Sequence, residues 1–190
     1  MQQRKVSIEA SLAGHRACFF AMASDCEILI QTGNRKKAKQ IAHLIANEAW
    51  RLQDKYSRYQ DQAWLSQLNN AEGKWLKMDQ ETAGLLDFVD QVYALSDGLF
   101  DPTSGILRRV WRFDGSHKLP DKNSVGALLP FIGWPRVERT EDSIRLPQGF
   151  ELDLGGLVKE WAADKALAVV QQSGFDTPLL INLGGDLRVS

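Results

Sequence analysis

The chain is short of several things, and each shortage removes a class of protein. It carries two cysteines, Cys18 and Cys26, among 190 residues. Both lie in or beside an apolar stretch without His or acid partners at ligand spacing, so they read as small buried hydrophobes and not as a metal site. A domain of this length buries enough core to need no disulfide framework. His15, His43 and His117 are widely separated, and none stands in a triad or zinc-ligand context, so neither nucleophilic nor zinc chemistry is indicated. No run of about 18 apolar residues occurs, and nothing in the sequence reads as a bilayer span. The start, Met1-Gln2-Gln3-Arg4-Lys5, lacks the apolar core of a secretory signal, so the expected compartment is the cytoplasm, or the periplasm if the N-terminus was trimmed. Charge of one sign is missing too: 23 Lys and Arg face 24 Asp and Glu, which leaves no field to hold a polyanion and makes nucleic acid an unexpected partner.

What is present is ordinary globular composition, 44% hydrophobic and 25% charged, together with six tryptophans that read mostly as core. Helices and strands intermix in the pattern of a single α+β domain over residues 1–190, with mostly antiparallel strands. Phe19 to Met22 followed by the alternation of Cys26, Ile28 and Ile30 with Glu27, Leu29 and Gln31 predicts one strand of about a dozen residues, with a bulge. Thr32-Gly33-Asn34 ends it. From Arg35 the spacing becomes helical: Ala38, Ile41, Ala42, Ile45, Ala49 and Leu52 share one face as far as about Lys55. Leu65, Leu68 and Asn69 suggest a short helical turn. A second amphipathic helix carries Leu85, Leu86, Val89, Val92 and Tyr93, with Thr82 helping to cap its start and Gly98 ending it in a left-handed cap.

Residues 98–135 form a long excursion rich in Gly, Pro, Asp and Ser, with a short apolar helix near Val125 to Leu129. Short paired strands follow at 136–139 and 143–146, and Glu151-Leu152-Asp153-Leu154 continues the β pattern up to Gly155-Gly156. A third helix carries Trp161, Ala162, Ala166, Leu167 and Val170 and stops at Ser173-Gly174. Leu179 to Leu183 reads as a buried strand, Gly184-Gly185 as a turn, and Asp186 to Ser190 as the start of a partner strand.

Three places have the residue types for ligand chemistry. A strand, a glycine pair and a helix start at 153–159 would let a phosphate group approach free backbone N–H groups, with Lys159 in the first turn and Asp153 placed to accept hydrogen bonds from a ribose or base. A tight ligand-free turn explains the same residues. Asp101-Pro102-Thr103 offers an acceptor and a hydroxyl on a constrained turn, and plain turn chemistry accounts for that as well. Tyr56-Ser57-Arg58-Tyr59 sets aromatics beside a cation in an aperiodic loop, either to stack a flat ring or as an exposed amphipathic turn.

Read together and in order, four stretches resemble the ApbE family of flavin transferases. Met22-Ala23-Ser24 stands where the family has Met-Gly-Thr. Ser57-Arg58-Tyr59 runs on to Leu65-Ser66-Gln67-Leu68-Asn69, similar to Ser-x-[Phe/Tyr]…[Leu/Ile]-Ser-x-Leu-Asn. Gly98-Leu99-Phe100-Asp101-Pro102-Thr103-Ser104-Gly105, with Trp111 and Phe113, is similar to Gly-x-Phe-Asp-Pro-Thr…Trp-Gly-Phe. Asp153-Leu154-Gly155-Gly156-Leu157-Val158-Lys159 leads through Ala162, Ala163 and Asp164 to Asn182-Leu183-Gly184-Gly185-Asp186. The chain departs from the family at Ala23 and Ser24, at Arg112 between Trp111 and Phe113, and at Glu160 after Lys159.

The resemblance implies an ApbE-like (T-fold-like) domain and Mg²⁺-dependent transfer of FMN from FAD to a Thr or Ser of an acceptor flavoprotein subunit, with release of AMP. Met22, Tyr59, Phe100, Asp101, Thr103 and Asp153 would line the FAD site, Lys159 would lie near the diphosphate, and the carbonyl of Gly156 would be one Mg²⁺ ligand. The family's remaining magnesium ligands, an Asp and a Thr side chain, and its His-containing segment lie beyond the second glycine pair, so the chain is expected to be the N-terminal portion of the family domain. Two further readings remain open from sequence: Mg²⁺-dependent FAD hydrolysis, and a non-catalytic flavin-binding or interaction protein.

Overall fold

The structure is a computed structural model and describes residues 4–111 and 119–190; Arg112, Phe113 and His117 lie outside the described residues. In chain order the elements are β1 (Ser7–Ser11), β2 (Gly14–Ala21), β3 (Ser24–Ile30), α1 (Arg35–Lys55), α2 (Trp64–Asn69), β4 (Leu76–Lys77), α3 (Gln80–Leu95), a 3-10 helix at Pro102–Arg109, α4 (Lys122–Leu128), 3-10 turns at Leu129–Phe131 and Trp134–Arg136, β5 (Glu138–Arg139), β6 (Ser143–Arg145), α5 (Val158–Gln172), β7 (Leu179–Leu183) and β8 (Asp186–Val189). They group into two compact units, one of residues 1–55 with 155–190 and one of residues 56–154. None of the described helices is long and apolar enough to cross a membrane.

The first unit is built on a five-stranded sheet in the order β1-β2-β3-β7-β8, with every pairing antiparallel. Ala17 on β2, Ile28 on β3 and Ile181 on β7 stand opposite one another, and the same face carries buried Phe19, Ile30, Leu179 and Leu183. The period of two in strands delivers one apolar face, and α1 and α5 cover it. The core face of α1 matches the expected stripe from Ala38 to Leu52, and α1 packs against α5, where Ala162, Ala163 and Ala166 are also buried. Trp50 closes the end of this layer, with its indole N–H donating to the Phe20 carbonyl at 2.8 Å and its ring edge-on to Phe19.

The single bulged strand expected over the Phe19–Gln31 region is instead a hairpin. Ala21 pairs with Ser24, and the two-residue turn between them holds Met22 at φ 51° and Ala23 at φ 57°. A hairpin of this kind needs two left-handed residues, and the usual signature is Asn or Gly. Neither is present, so the turn left no mark in the sequence. The Met22 N–H donates to Gln53 Oε1 at 2.5 Å, which ties the turn to α1. Ala23 is exposed and pays the left-handed penalty without compensation from packing. Ala23→Gly is therefore expected to raise stability by about 0.5–1 kcal/mol, the relief of strain less the added freedom of the unfolded chain. A urea midpoint that stays put or falls would contradict it. β1 and the first half of β2 carry little apolar alternation, so nothing in the sequence marks them as strands.

In the second unit, β4, β6 and β5 form a small antiparallel sheet, and Leu65, Leu68, Leu85, Leu86, Val89, Ile106, Ile144 and Leu152 are fully buried. α3 is capped by Asp79, whose carboxylate accepts from the Thr82 N–H at 2.9 Å and its hydroxyl at 2.7 Å; Thr82 is thus the donor at the third helical position and not the cap. Past its end Asp97 and Gly98 are both left-handed, and the Gly98 N–H closes on the Tyr93 carbonyl at 2.9 Å. Residues 151–154 form no strand, contrary to their alternating pattern. At Leu152 a side chain takes the place of a strand: the Asn69 amide accepts from the Leu152 N–H at 2.8 Å and donates to the Leu152 carbonyl at 2.9 Å, the pairing a neighbouring strand would have given. Among the tryptophans, Trp50 and Trp134 are buried, whereas Trp75 is exposed, so core packing accounts for fewer of them than their apolar bulk suggested.

Candidate functional site

In the second unit the Asp-Pro-Thr turn behaves as its residue types dictate locally. Asp101 caps the 3-10 helix with Pro102 in its first turn, where a missing N–H costs nothing. Its Oδ1 accepts from the Thr103 N–H at 2.8 Å and hydroxyl at 2.5 Å, and its Oδ2 accepts from the Trp134 N–H at 2.9 Å. The Thr103 hydroxyl in turn accepts from the Gly133 N–H at 2.7 Å. Both predicted site residues are thus engaged in clamping 101–103 to 133–134, and Thr103 has no exposed surface. They shape the site through the loops they hold. Phe100 is half-buried beside them, with its N–H on Ser96 Oγ at 3.0 Å.

Asp153 is fixed from several directions. Its N–H donates to the Pro102 carbonyl at 2.9 Å, and its backbone runs so close to Gly105 that a Cβ there would lie 2.7 Å from Asp153 Cβ. Its carboxylate pairs with the Arg58 guanidinium. Arg58 also donates to the Tyr59 hydroxyl at 2.8 Å, and the Tyr59 ring is 77% exposed. The structure therefore brings Tyr59, Asp153 and the 101–103 turn into one neighbourhood, with Arg58 as the link. In the sequence Arg58 is only a cation among aromatics, because a pairing 95 positions away has no local signature. One residue before Leu152, the carboxylate of buried Glu151 is held by Arg108 and, at 3.5 Å, by Arg109.

In the first unit, residues 155–157 turn into α5, which starts at Val158 with Leu157 at the cap position and no side-chain cap. Its first-turn N–H groups are consequently not satisfied by a capping side chain, the condition under which a helix start attracts an anion. Lys159 lies in that first turn, and its Nζ is 3.3 Å from where a Cβ on Gly184 would be. The same Cβ would be 2.5 Å from Ser24 Cβ. The Met22–Ser24 turn, the left-handed Gly184-Gly185 turn and the start of α5 thus meet at one end of the sheet, with Met22 half-buried and Gly156 exposed. Gly184 is required twice over, by its φ of 65° and by the space Ser24 and Lys159 occupy. Among the described residues no group of three His, Cys, Asp or Glu side chains is arranged to hold a metal ion.

Cys26 sits under the same end of the sheet. Burial pushes its thiol up to about 11, against the opposing pull of a backbone hydrogen bond at Ala21 and of the Lys159 charge. At pH 8 only about a thousandth of it would be thiolate, so Cys26 is expected to resist Ellman's reagent in the native protein and to react once unfolded. Reaction of both cysteines in the native protein would contradict that placement.

A protein-family model described as the ApbE family matches residues 22–190. The chain belongs to the ApbE family. A curated relative named FAD:protein FMN transferase, from Chlamydia pneumoniae, is 31% identical over 140 residues, which cover 71% of this chain and 44% of the relative. Among solved structures, the ApbE protein from Thermotoga maritima superposes with a TM-score of 0.81 at 23% identity over 98% of this chain and 59% of its own. The flavin transferase ApbE from Vibrio cholerae gives 0.78 at 17% identity over 99% of this chain and 60% of its own. The ApbE fold of helices and antiparallel sheets is thereby shown, and the chain spans about half the length of the relatives it matches.

Proposed function

We propose that the full-length protein transfers FMN from FAD to a Thr or Ser hydroxyl of an acceptor protein and releases AMP. The observation that carries this reading is the family match across residues 22–190, which takes in all four motif stretches. The hydroxyl oxygen bonds to the FMN phosphorus, the diphosphate P–O bond breaks, AMP leaves with the bridging oxygen, and the hydroxyl proton passes to solvent or a base. Three local features support it. The exposed Tyr59 ring suits stacking on a flat isoalloxazine, the Asp153 carboxylate suits polar groups of the nucleotide, and the uncapped start of α5 with Lys159 suits a diphosphate.

Magnesium is the metal this reading calls for, and here the residues fall short. Mg²⁺ demands six hard oxygens in near-ideal geometry. The Gly156 carbonyl is a single ligand, and the described residues supply no carboxylate cluster beside it. They do not fit a complete magnesium site.

The reading is tested by incubating the full-length protein with FAD, Mg²⁺ and flavoprotein subunits from the same cell, then looking for an FMN mass increment on a Thr or Ser and for AMP in equal amount. Absence of an adduct on every subunit overturns it, and release of free FMN without an acceptor identifies hydrolysis instead. Lys159→Ala is expected to weaken FAD binding about tenfold, the loss of one charge-assisted contact to phosphate. Calorimetric titration showing unchanged affinity would remove Lys159 from the site.

A further inference from the structure

We propose that Arg58 is a positioning residue for FAD binding, setting the Asp153 carboxylate and the Tyr59 ring through one guanidinium; this rests on the function proposed above. Arg58 Nη1 engages Asp153 Oδ2, Nη2 donates to the Tyr59 hydroxyl at 2.8 Å, and Cζ lies 5.0 Å from the Tyr59 ring centroid. A planar fork can point separate N–H groups at two partners at once, which an ammonium on a flexible stem cannot do with the same fixed geometry.

Burial decides which of the three groups meets a ligand. The Arg58 side chain is 23% exposed, the Asp153 side chain 33%, and Tyr59 77%. The cation is the most covered of the set, and the two groups it holds are the ones turned toward solvent. Desolvation of Arg58 is outweighed by its hydrogen bond to Tyr59 together with the attraction of Asp153, Tyr59 and Glu151, which hold the guanidinium above its ordinary value and charged. Asp153 is already restrained at its backbone by Pro102 and Gly105, so Arg58 fixes the remaining freedom, the rotation of its carboxylate. The Tyr59 N–H is on Ser57 Oγ at 3.1 Å, but its ring is exposed and its hydroxyl is held by Arg58, the residue preceding it.

The test is a set of calorimetric FAD titrations on the full-length protein carrying Arg58→Met, Arg58→Lys, Asp153→Asn and the Arg58→Met/Asp153→Asn pair, with urea unfolding of each. Arg58→Met keeps the apolar stem and is expected to weaken FAD binding about tenfold. Arg58→Lys, which keeps the charge and loses the fork, falls between it and wild type. Because Arg58 acts in part through Asp153, the loss in the double variant is smaller than the product of the two single losses. The proposal is overturned by wild-type affinity in Arg58→Met, or by losses that multiply in the double variant, which would make the two residues independent. It is also overturned if affinity falls only in proportion to the unfolded fraction, since Arg58 would then be a fold residue alone. Failure of wild type itself to bind FAD removes the functional reading, and this proposal with it; failure confined to the variants removes the proposal alone.

Discussion

Gly105→Ala is expected to destabilise the protein by about 2–4 kcal/mol, the upper range for forcing a methyl into a packed site together with a displaced backbone hydrogen bond. The atoms in the way are Asp153 Cβ at 2.7 Å, the Asp153 amide nitrogen at 2.9 Å and the Leu152 carbonyl carbon at 3.2 Å, two of them backbone. A flexible side chain could swing aside, but this segment cannot, because Asn69 grips Leu152 and the Pro102 carbonyl holds the Asp153 N–H. Either the 3-10 helix or residues 152–153 must shift, and either shift disturbs the segment that carries the Asp153 carboxylate. The loss of stability should therefore be accompanied by loss of FAD affinity. Gly126 is the matched control. It lies within α4, an added Cβ there meets nothing within 4 Å, and Gly126→Ala should gain up to about 1 kcal/mol of helix propensity. Urea unfolding separates the two, and equal midpoints would show that the approach of Gly105 to Asp153 is looser than described.

Asn69→Ala should cost about 2–4 kcal/mol, because it strips partners from two buried backbone groups at roughly 1–3 kcal/mol each. Leu152 has no exposed surface, and both its N–H and its carbonyl depend on this one amide. Asn69→Asp is the sharper probe. It retains an acceptor for the Leu152 N–H but turns a second oxygen toward the Leu152 carbonyl, so it should rescue little of the loss. If Asn69→Ala lowers stability by less than about 1 kcal/mol, water has taken over both bonds and the amide is not what replaces a strand here.

How much of this was legible in the sequence follows from the range of each signal. α1 was read to its ends because its stripe of alanine, isoleucine and leucine repeats at helical spacing for 21 residues, and α3, α5, β7 and the β7–β8 glycine turn follow from equally local cues. The Asp-Pro-Thr turn was legible as a turn for the same reason. The hairpin at Met22-Ala23 was not, since its left-handed residues carry side chains that ordinarily avoid that conformation. Residues 151–154 misled in the opposite sense: their alternation buries Leu152 and Leu154, as in a strand, but a side-chain amide takes the place of the neighbouring strand.

The candidate site divides along the same line. Tyr59, Asp101, Thr103 and Asp153 in one unit and Lys159 in the other stood out as candidates by their place in four ordered motifs, and the family match spans those motifs. Their division of labour was not identifiable. Only the tertiary structure shows Thr103 consumed in a clamp, Asp153 steered by Arg58, Gly105 kept bare for Asp153, and Gly184 kept bare for Ser24 and Lys159. By itself the sequence determined the period of each helix, most of the strands and the family, because propensity and motif order are written in neighbouring residues. Which side chain meets which across tens of positions, and which glycine must stay a glycine, was decided by close packing, where two chain segments arrive at one point and leave room for no more atoms.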